Sequence, residues 1–156
     1  MLSRVADSCF WIARYVERAE TNARLLVVNH QLLLDFQDQE PDVERKHWEP
    51  ILGTLEAQEI FYRFYQRANS DTVQEFVTFE KENPNSILSC LAAARENART
   101  IREQITSEMW EQLNKLYLYL KSPQGRQDFI NSPYNFYYSI IEGVHMFHGI
   151  TDATMS

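Results

Sequence analysis

The amino-acid sequence predicts an all-α fold: one helical bundle domain over residues 1–156, with two long antiparallel helices and shorter aromatic-rich helices packed on them. Three observations support this prediction. The 156 residues include only 4 Gly and 5 Pro, so few positions break a helix. Apolar residues recur at three- and four-residue steps through two long stretches, which is the period of an amphipathic helix. With 44% hydrophobic residues, the chain can bury one sizeable core.

Composition also narrows the choice of partner and location. The 22 acidic residues outnumber the 15 basic ones, and the formal charge of -7 argues against a nucleic acid or an anionic membrane as the main partner. Charged residues interrupt every apolar run near the N-terminus, and no stretch approaches the roughly 18 apolar residues of a membrane span. We therefore expect a cytoplasmic protein. Cys9 and Cys90 lack metal-ligand spacing, so both are expected to be small core side chains.

The first long helix is expected over about residues 3–37, because neither Gly nor Pro occurs before Pro41. His30 falls on its apolar stripe and is expected to be a hydrogen-bonded core histidine. Polar side chains flank the stripe on two faces near the centre of the helix: Arg14, Glu17, Arg18, Glu20, Asn22 and Arg24.

Two interpretations of these polar residues stay open. Glu20 and Arg24 have the i,i+4 spacing of an exposed ion pair, which contributes a few tenths of a kcal/mol. Alternatively, further helices cover these faces and the charges form a buried network. The neighbouring Phe10, Trp11 and Tyr15 favour the second interpretation, because a solvated face rarely carries three aromatic residues.

Shorter helices are expected between the two long ones. A loop around Pro41 should lead into a new helix that starts at Asp42 and ends near Gly53, a residue typical of helix C-termini. The next helix carries an aromatic stripe, which is expected to lie in the core. Another short helix should begin near residue 70 and close at the turn around Pro84.

The second long helix is expected over about residues 86–121, since Ser86 can cap it and neither Gly nor Pro interrupts it. Glu108 should lie close to its apolar stripe and should therefore bind an arginine or several hydrogen-bond donors. We predict that the charges of the two long helices meet in one covered cluster where the helices cross. The second helix contributes Arg95, Glu96, Asn97, Arg99, Arg102, Glu103 and Glu108.

The last helix, which should begin at Pro133, contains the one metal-like pattern of the sequence. Glu142 and His145 have the Glu-x-x-His spacing of di-iron bundles, and His148 lies one further turn along. A di-iron site needs a second such motif, which the sequence lacks, and Gly143 weakens the helix. The sequence therefore predicts no cofactor and no bound metal, with these three residues as weak candidates.

Three segments of the chain resemble the alpha-E family, in that family's order: MLSRVADSCFWIARYVERAETNARLL, SILSCLAAARENARTIREQITSEMWEQLN and FHGITDATMS. This family comprises bacterial helical domains of unknown function named for a Glu-Arg motif, which falls on Glu17 and Arg18. Its members are about twice as long as this chain. The resemblance therefore implies that the chain is the N-terminal half of a longer protein, and we expect a homodimer in which a second copy replaces the missing half.

The resemblance also implies partners, because the family is typically encoded beside, or fused to, ATP-grasp ligase-like and transglutaminase-like proteins. The leading hypothesis is a non-catalytic binding or scaffold module, an accessory to such a partner in peptide or amide-bond modification. The alternative is an enzyme or metal-binding bundle that uses buried carboxylates for acid–base work or for holding Mg²⁺. A third hypothesis is a purely structural half-bundle whose polar core fixes helix register.

Overall fold

Eight helices and no strands make up the part of the chain that the structure, a computed structural model, describes: residues 2–36 and 43–155. The predicted all-α fold is confirmed. None of these helices is long and apolar enough to cross a lipid bilayer. The predicted loop around Pro41 and helix start at Asp42 lie outside the described residues. In chain order the helices are α1 (Leu2–Phe36), α2 (Val43–Thr54), α3 (Gln58–Phe64), α4 (Ser70–Thr78), α5 (Ile87–Thr100), α6 (Ser107–Lys121), α7 (Pro123–Asn131) and α8 (Pro133–Met155).

Helices α1, α5, α6 and α8 form a bundle in which α1 and α6 each pack against both α5 and α8. The direction of α8 follows from two contacts with α1. Gln31, near the end of α1, donates to the Tyr134 hydroxyl near the start of α8 at 3.2 Å. Glu20, eleven residues earlier in α1, contacts His145 further along α8. The two helices are therefore antiparallel, and α1 is confirmed as the long first helix.

Helix α6 also runs antiparallel to α8, and the two approach closely at a glycine. Gln112 of α6 donates to the backbone oxygen of Gly143 at 2.9 Å. A Cβ atom added at Gly143 would lie 2.4 Å from a methyl carbon of Leu116, which is itself buried. Gly143, which weakens a helix on propensity alone, therefore gives α6 the room to pack against α8.

The predicted single helix over residues 86–121 is wrong, because this stretch folds into two helices. Ser86 caps α5 as expected, but the backbone leaves helical geometry at Ile101 (φ -121°, ψ 30°). Thr106 then caps α6, and its hydroxyl oxygen accepts the Met109 N–H at 3.1 Å. The side chains of Ile101 and Ile105 are buried and hold the turn against the core. Helices α5 and α6 consequently form a hairpin that supplies two neighbouring members of the bundle.

Helices α2, α3 and α4 pack at one end of α1. A buried polar cluster at this end connects α1, α4 and α8. His30 of α1 pairs through Nε2 with Oε1 of Gln74 at 2.8 Å, and its ring meets Trp48 edge-on. The Tyr137 hydroxyl donates to the same Gln74 oxygen at 3.1 Å and also pairs with Thr78. Burial raises the pKa of Tyr137 well above its ordinary value, so the phenol stays neutral. His30 is thus confirmed as a hydrogen-bonded core histidine.

The other core predictions are confirmed in part. Phe61 of the aromatic stripe in α3 is fully buried and stacks on Tyr65, whereas Phe64 is exposed. Cys90 is buried, and burial raises its pKa to about 11. Cys9 is only half-buried.

Candidate functional site

The charged residues predicted to form one covered cluster lie mostly on the surface, so that prediction is wrong. Glu17 of α1 and Glu108 of α6, which the hypothesis required to be covered, are both exposed. Because α5 and α8 pack on the two flanks of the apolar stripe of α1, the opposite face of this helix remains open to solvent. The exposed members of the predicted network are Arg14, Glu17, Arg24, Glu96, Arg99, Glu103 and Glu108.

The charged side chains of α5 contact residues of their own helix or of α6. Arg99 pairs with Glu96 one turn earlier, with its Nε 3.1 Å from both carboxylate oxygens, and both side chains are exposed. Such a pair contributes little to stability. Asn97 is half-buried and donates to the backbone oxygen of Ala93, again on the same helix. Neither contact reaches α1.

Arg95 and Arg102 pack on aromatic rings of α6 instead of pairing with glutamates. The Arg95 Nε donates to Asn114 Oδ1 at 2.6 Å, and its guanidinium lies 4.9 Å from the centre of the Tyr117 ring. Arg95 and Arg102 also lie over the Trp110 ring, at 5.5 Å and 5.6 Å. These cation–π contacts join the two arms of the hairpin.

Glu108 does not need the arginine that the single-helix prediction demanded. The chain turns at residues 101–106, so Glu108 falls in the first turn of a new helix. A carboxylate at a helix N-terminus interacts favourably with the helix dipole and can remain hydrated there.

A cleft of about 420 Å³ opens beside the Glu-Arg motif of α1, and we call it the Arg18 cleft. One wall is α1, another is the connection between α2 and α3, and a third is the loop before α5. Its polar lining residues are Arg18, Thr21, Asn22, Thr54, Glu56, Asn83 and Asn85, and its apolar ones are Leu55, Ala57 and Ile60. Of the predicted network, only Arg18 and Asn22 line this cleft.

Two side chains of α1, Arg18 and Asn22, form hydrogen bonds with the loop before α5. The Arg18 Nη1 donates to Asn85 Oδ1 at 2.8 Å, and the Asn22 side-chain amide donates to the Asn85 backbone oxygen at 2.7 Å. Arg18 also lies over the Tyr15 ring at 5.6 Å. Asn83 fixes the loop from within, because its Oδ1 accepts the Asn85 N–H at 3.0 Å. The cleft therefore has a rigid wall of amide groups beside a positioned guanidinium.

Sequence reasoning missed Asn83 and Asn85, although both belong to the turn predicted around Pro84. Asn in a turn usually bonds to the local backbone, as Asn83 does, and is therefore interpreted as turn chemistry alone. The contact of Asn85 with α1 joins residues far apart in the sequence, so the spacing of residues near Asn85 does not indicate it.

The connection between α2 and α3 contributes a strained residue to the Arg18 cleft. Helix α2 ends in a Schellman motif, in which Ala57 N–H donates to the Leu52 oxygen and Glu56 N–H donates to the Gly53 oxygen. The residue in the left-handed position is Glu56, with φ 52°, the one non-glycine residue of the described chain with positive φ. Gly53, expected to end the helix, lies within it. A glutamate therefore occupies a position that usually takes glycine.

A second polar group joins α1 to α8. Arg24 and Glu20 form the expected i,i+4 pair, with 2.9 Å between Nε and Oε2. The same carboxylate contacts His145 Nε2 at 3.3 Å and His148 Nε2 at 3.5 Å. Burial raises the pKa of Glu20, but hydrogen bonds from Arg24 and His145 outweigh burial and hold the pKa below its usual range.

This group does not assemble a metal site. The Arg24 Nη2 lies 2.8 Å from His145 Nε2, so a positive charge lies beside this nitrogen and would repel a metal cation. Glu142 is exposed on α8. No three His, Cys, Asp or Glu side chains among residues 2–36 and 43–155 form a group that could hold a metal ion.

Comparison with known proteins settles the family. A family profile described as a predicted alpha-helical domain with a conserved ER motif, named Alpha-E, matches residues 1–156. The chain belongs to the Alpha-E family. In this Alpha-E chain, Arg18 lines a cleft and its neighbour Glu17 is exposed to solvent.

Three curated relatives show sequence similarity to this Alpha-E chain. An uncharacterized protein of Mycobacterium bovis is 28% identical over 118 residues, which cover 69% of this chain and 13% of the relative. Uncharacterized proteins of two Mycobacterium tuberculosis strains match over the same length, at 28% and 27% identity. The chain thus spans only a small part of the curated relatives that it matches. No solved structure gives a significant match.

Proposed function

We propose that this Alpha-E chain is a helical binding and scaffold module, an accessory to an ATP-grasp ligase-like or transglutaminase-like partner in peptide or amide-bond modification. The observation that supports a binding role is the Arg18 cleft. Three separate segments line this cleft, as in a site built to hold a ligand. The proposed class of partner rests on the family resemblance.

The chemistry of the Arg18 cleft favours binding over catalysis. Arginine stays protonated at physiological pH, and asparagine amides do not titrate. Arg18 and the amides of Asn22, Asn83 and Asn85 therefore offer fixed hydrogen-bond donors and acceptors, and Glu56 adds one carboxylate to the lining. Such a lining recognises a ligand and presents it to another active site.

Exposed apolar side chains supply surface for the partner. Phe10 on α1 is 54% exposed, and Val28 and Leu32 on the same helix are also exposed. The test is affinity capture with the tagged chain from cells that also express ATP-grasp ligase-like and transglutaminase-like proteins. Recovery of either class supports the accessory role, and recovery of neither overturns it. Phe10→Ser should weaken capture, while Leu118→Ser, at a similarly exposed position on α6, serves as the matched control.

A second copy of this chain is the other partner that we propose. The same exposed residues of α1 would then lie in a homodimer interface. Light scattering over a range of micromolar concentrations tests this proposal. We expect a dimer that Phe10→Ser weakens, and a stable monomer throughout that range would contradict it.

An enzyme that uses carboxylates is the second candidate function, and one observation favours it. Glu20 contacts two histidines, an arrangement suited to acid–base chemistry. Reconstitution of a recovered partner's reaction with the Glu20→Gln chain separates the candidates, with Glu17→Gln on the exposed face as the control. An accessory module leaves the partner's kcat unchanged in both variants. Loss of kcat in Glu20→Gln alone would assign the chemistry to this chain.

A further inference from the structure

We propose that the Arg18 cleft binds a small zwitterion, a free amino acid or a short peptide with an apolar side chain, with Arg18 holding the carboxylate and Glu56 the ammonium group. This inference rests on the proposed binding function and specifies its ligand. Four features of the cleft lead to it.

The first feature is the pair of charges. Among the described residues that line the cleft, Arg18 is the cation, Glu56 is the anion and the others are uncharged. The two charges lie on different walls, one on α1 and the other on the connection between α2 and α3. A phosphate or another simple anion would be attracted by Arg18 and repelled by Glu56. A metal cation would be attracted by Glu56 and repelled by Arg18. A molecule with one charge of each sign satisfies both walls.

The second feature is the way Arg18 is held. A guanidinium has five N–H donors, and the bond from Nη1 to Asn85 Oδ1 uses one of them. That bond and the Tyr15 ring, whose centre lies 5.6 Å away, hold the guanidinium beside the cleft. A planar, oriented guanidinium suits a carboxylate, which it can bind through two parallel hydrogen bonds.

The third feature is the backbone of Glu56. The Schellman motif needs a left-handed residue at this position, and glycine would adopt that conformation without strain. The chain has a glutamate there, and this residue lines the cleft. Strained residues cluster at ligand sites because the surrounding structure holds them in place for a task. Binding an ammonium group is a task that glycine could not perform.

The fourth feature is the size and apolar part of the cleft. A volume of about 420 Å³ lies toward the lower end of small-molecule sites, which span about 300–1,000 Å³, so the cleft suits a small ligand. Leu55, Ala57 and Ile60 provide an apolar surface on the Glu56 side of the cleft. This surface suits an aliphatic side chain on the ligand.

The test is titration of the isotope-labelled chain, followed by NMR, with three probes: alanyl-leucine, its N-acetyl derivative and its C-terminal amide. The last two lack the ammonium group and the carboxylate, respectively. We expect the backbone resonances of residues 18–22, 54–57 and 83–85 to shift with alanyl-leucine. Each derivative should bind about tenfold more weakly or worse, since each loses a charge-assisted hydrogen bond.

Two variants assign each charge to its residue. Glu56→Gln should bind alanyl-leucine and its N-acetyl derivative equally well, because the carboxylate that distinguishes them is gone. Arg18→Gln should bind the acid and the amide equally well. Arg14→Gln, one turn from Arg18 and outside the cleft, should retain both preferences. Glutamine has the same backbone preferences as glutamate, so Glu56→Gln should fold normally, and its thermal unfolding midpoint checks this.

Two results would overturn the inference in distinguishable ways. If all three probes shift the cleft resonances with equal affinity, the cleft binds ligands but does not recognise a zwitterion. If no probe binds while the chain still captures its ligase-type partner, the ligand assignment is wrong and the accessory role stands. Persistence of the acid-over-amide preference in Arg18→Gln would also overturn the assignment of the carboxylate to Arg18.

Discussion

The sequence Asn-Ala-Arg occurs in α1 and again in α5, and its two asparagines have different partners. Asn22 is 2% exposed and donates to the backbone of Asn85, in a loop 63 residues away. Asn97 is half-buried and donates to Ala93 on its own helix. The same tripeptide therefore connects distant segments through its asparagine in α1, whereas its asparagine in α5 bonds only within its own helix. What lies opposite each residue decides its role, and short sequence repeats do not encode that.

The largest difference between the two asparagines should appear on truncation to alanine. Asn22→Ala removes a buried side chain and leaves the Asn85 backbone oxygen without its hydrogen-bond donor, so it should lower the free energy of unfolding by about 1–3 kcal/mol. Asn97→Ala should change it by less than about 0.5 kcal/mol, because the lost bond lies within one helix and alanine favours the helix. Urea unfolding of both variants measures the difference. Equal losses would break the comparison.

Two arginines of α5 should also differ in how much they contribute to stability. Arg95→Ala removes the contact with the Tyr117 ring and the hydrogen bond to Asn114, and it should cost about 1–2 kcal/mol. Arg99→Ala removes only an exposed pair with Glu96, so its effect should be much smaller than that of Arg95→Ala. Thermal unfolding reports both effects. A cost for Arg99→Ala as large as that for Arg95→Ala would show that α5 makes contacts beyond those described above.

The connections at the ends of α2 and α5 allow a third comparison. Glu56 has a positive φ, so Glu56→Gly should raise the free energy of unfolding by up to about 1 kcal/mol. Glu103, exposed in the turn between α5 and α6, does not share this conformation, and Glu103→Gly should lower stability by about 0.4–1 kcal/mol. The midpoints of urea unfolding show whether each variant is more or less stable than the unaltered chain. Destabilisation by Glu56→Gly would mean that the glutamate side chain itself stabilises the fold.

The smallest effect on stability is expected from the ion pairs of Glu20 and Glu96 at acid pH. The folded-state pKa of Glu20 lies below the ordinary value of 4.5, so its contribution to stability is fully present above that pH. This contribution is lost as the pH falls through the lower folded-state pKa. Glu20→Gln should therefore flatten the acid side of the stability curve, measured by urea unfolding at a series of pH values on both sides of 4.5.

Glu96→Gln provides the control for Glu20→Gln. A hydrogen bond from Arg99 also lowers the pKa of Glu96, but this pair is exposed, so added salt should screen most of its effect. The contacts of Glu20 with α8 should respond less to salt. If the Glu20→Gln curve runs parallel to that of the unaltered chain, the contacts with His145 and His148 contribute nothing to stability.

Sequence periodicity predicted α1, which contains neither Gly nor Pro. The same rule failed for residues 86–121, where Thr106 competes with a continuous helix by offering a cap to a new one. The resulting turn changes which way Glu108 points, and the prediction of its covered partner failed with it. A single cap therefore affected both the fold and the candidate site.

The parts of the site that sequence could not supply depend on contacts between distant segments. Arg18 and Asn22 stood out as polar residues in an apolar helix, and both line the cleft. Asn85 and Glu56 did not stand out, because a turn asparagine and an exposed glutamate are ordinary. Only the packing of α2 and of the loop before α5 beside α1 gives these two residues their place in a site.

Both polar groups of Asn85 are engaged by α1: its side-chain oxygen by Arg18 and its backbone oxygen by Asn22. This residue lies two positions before the first turn of α5, so the pair of bonds fixes where the hairpin of α5 and α6 begins. A carboxylate that draws the Arg18 guanidinium toward itself would lengthen the hydrogen bond from Arg18 to the Asn85 side chain. Occupancy of the cleft would then loosen one of two tethers on the hairpin, and amide hydrogen exchange near the start of α5 would report a ligand that never touches that helix.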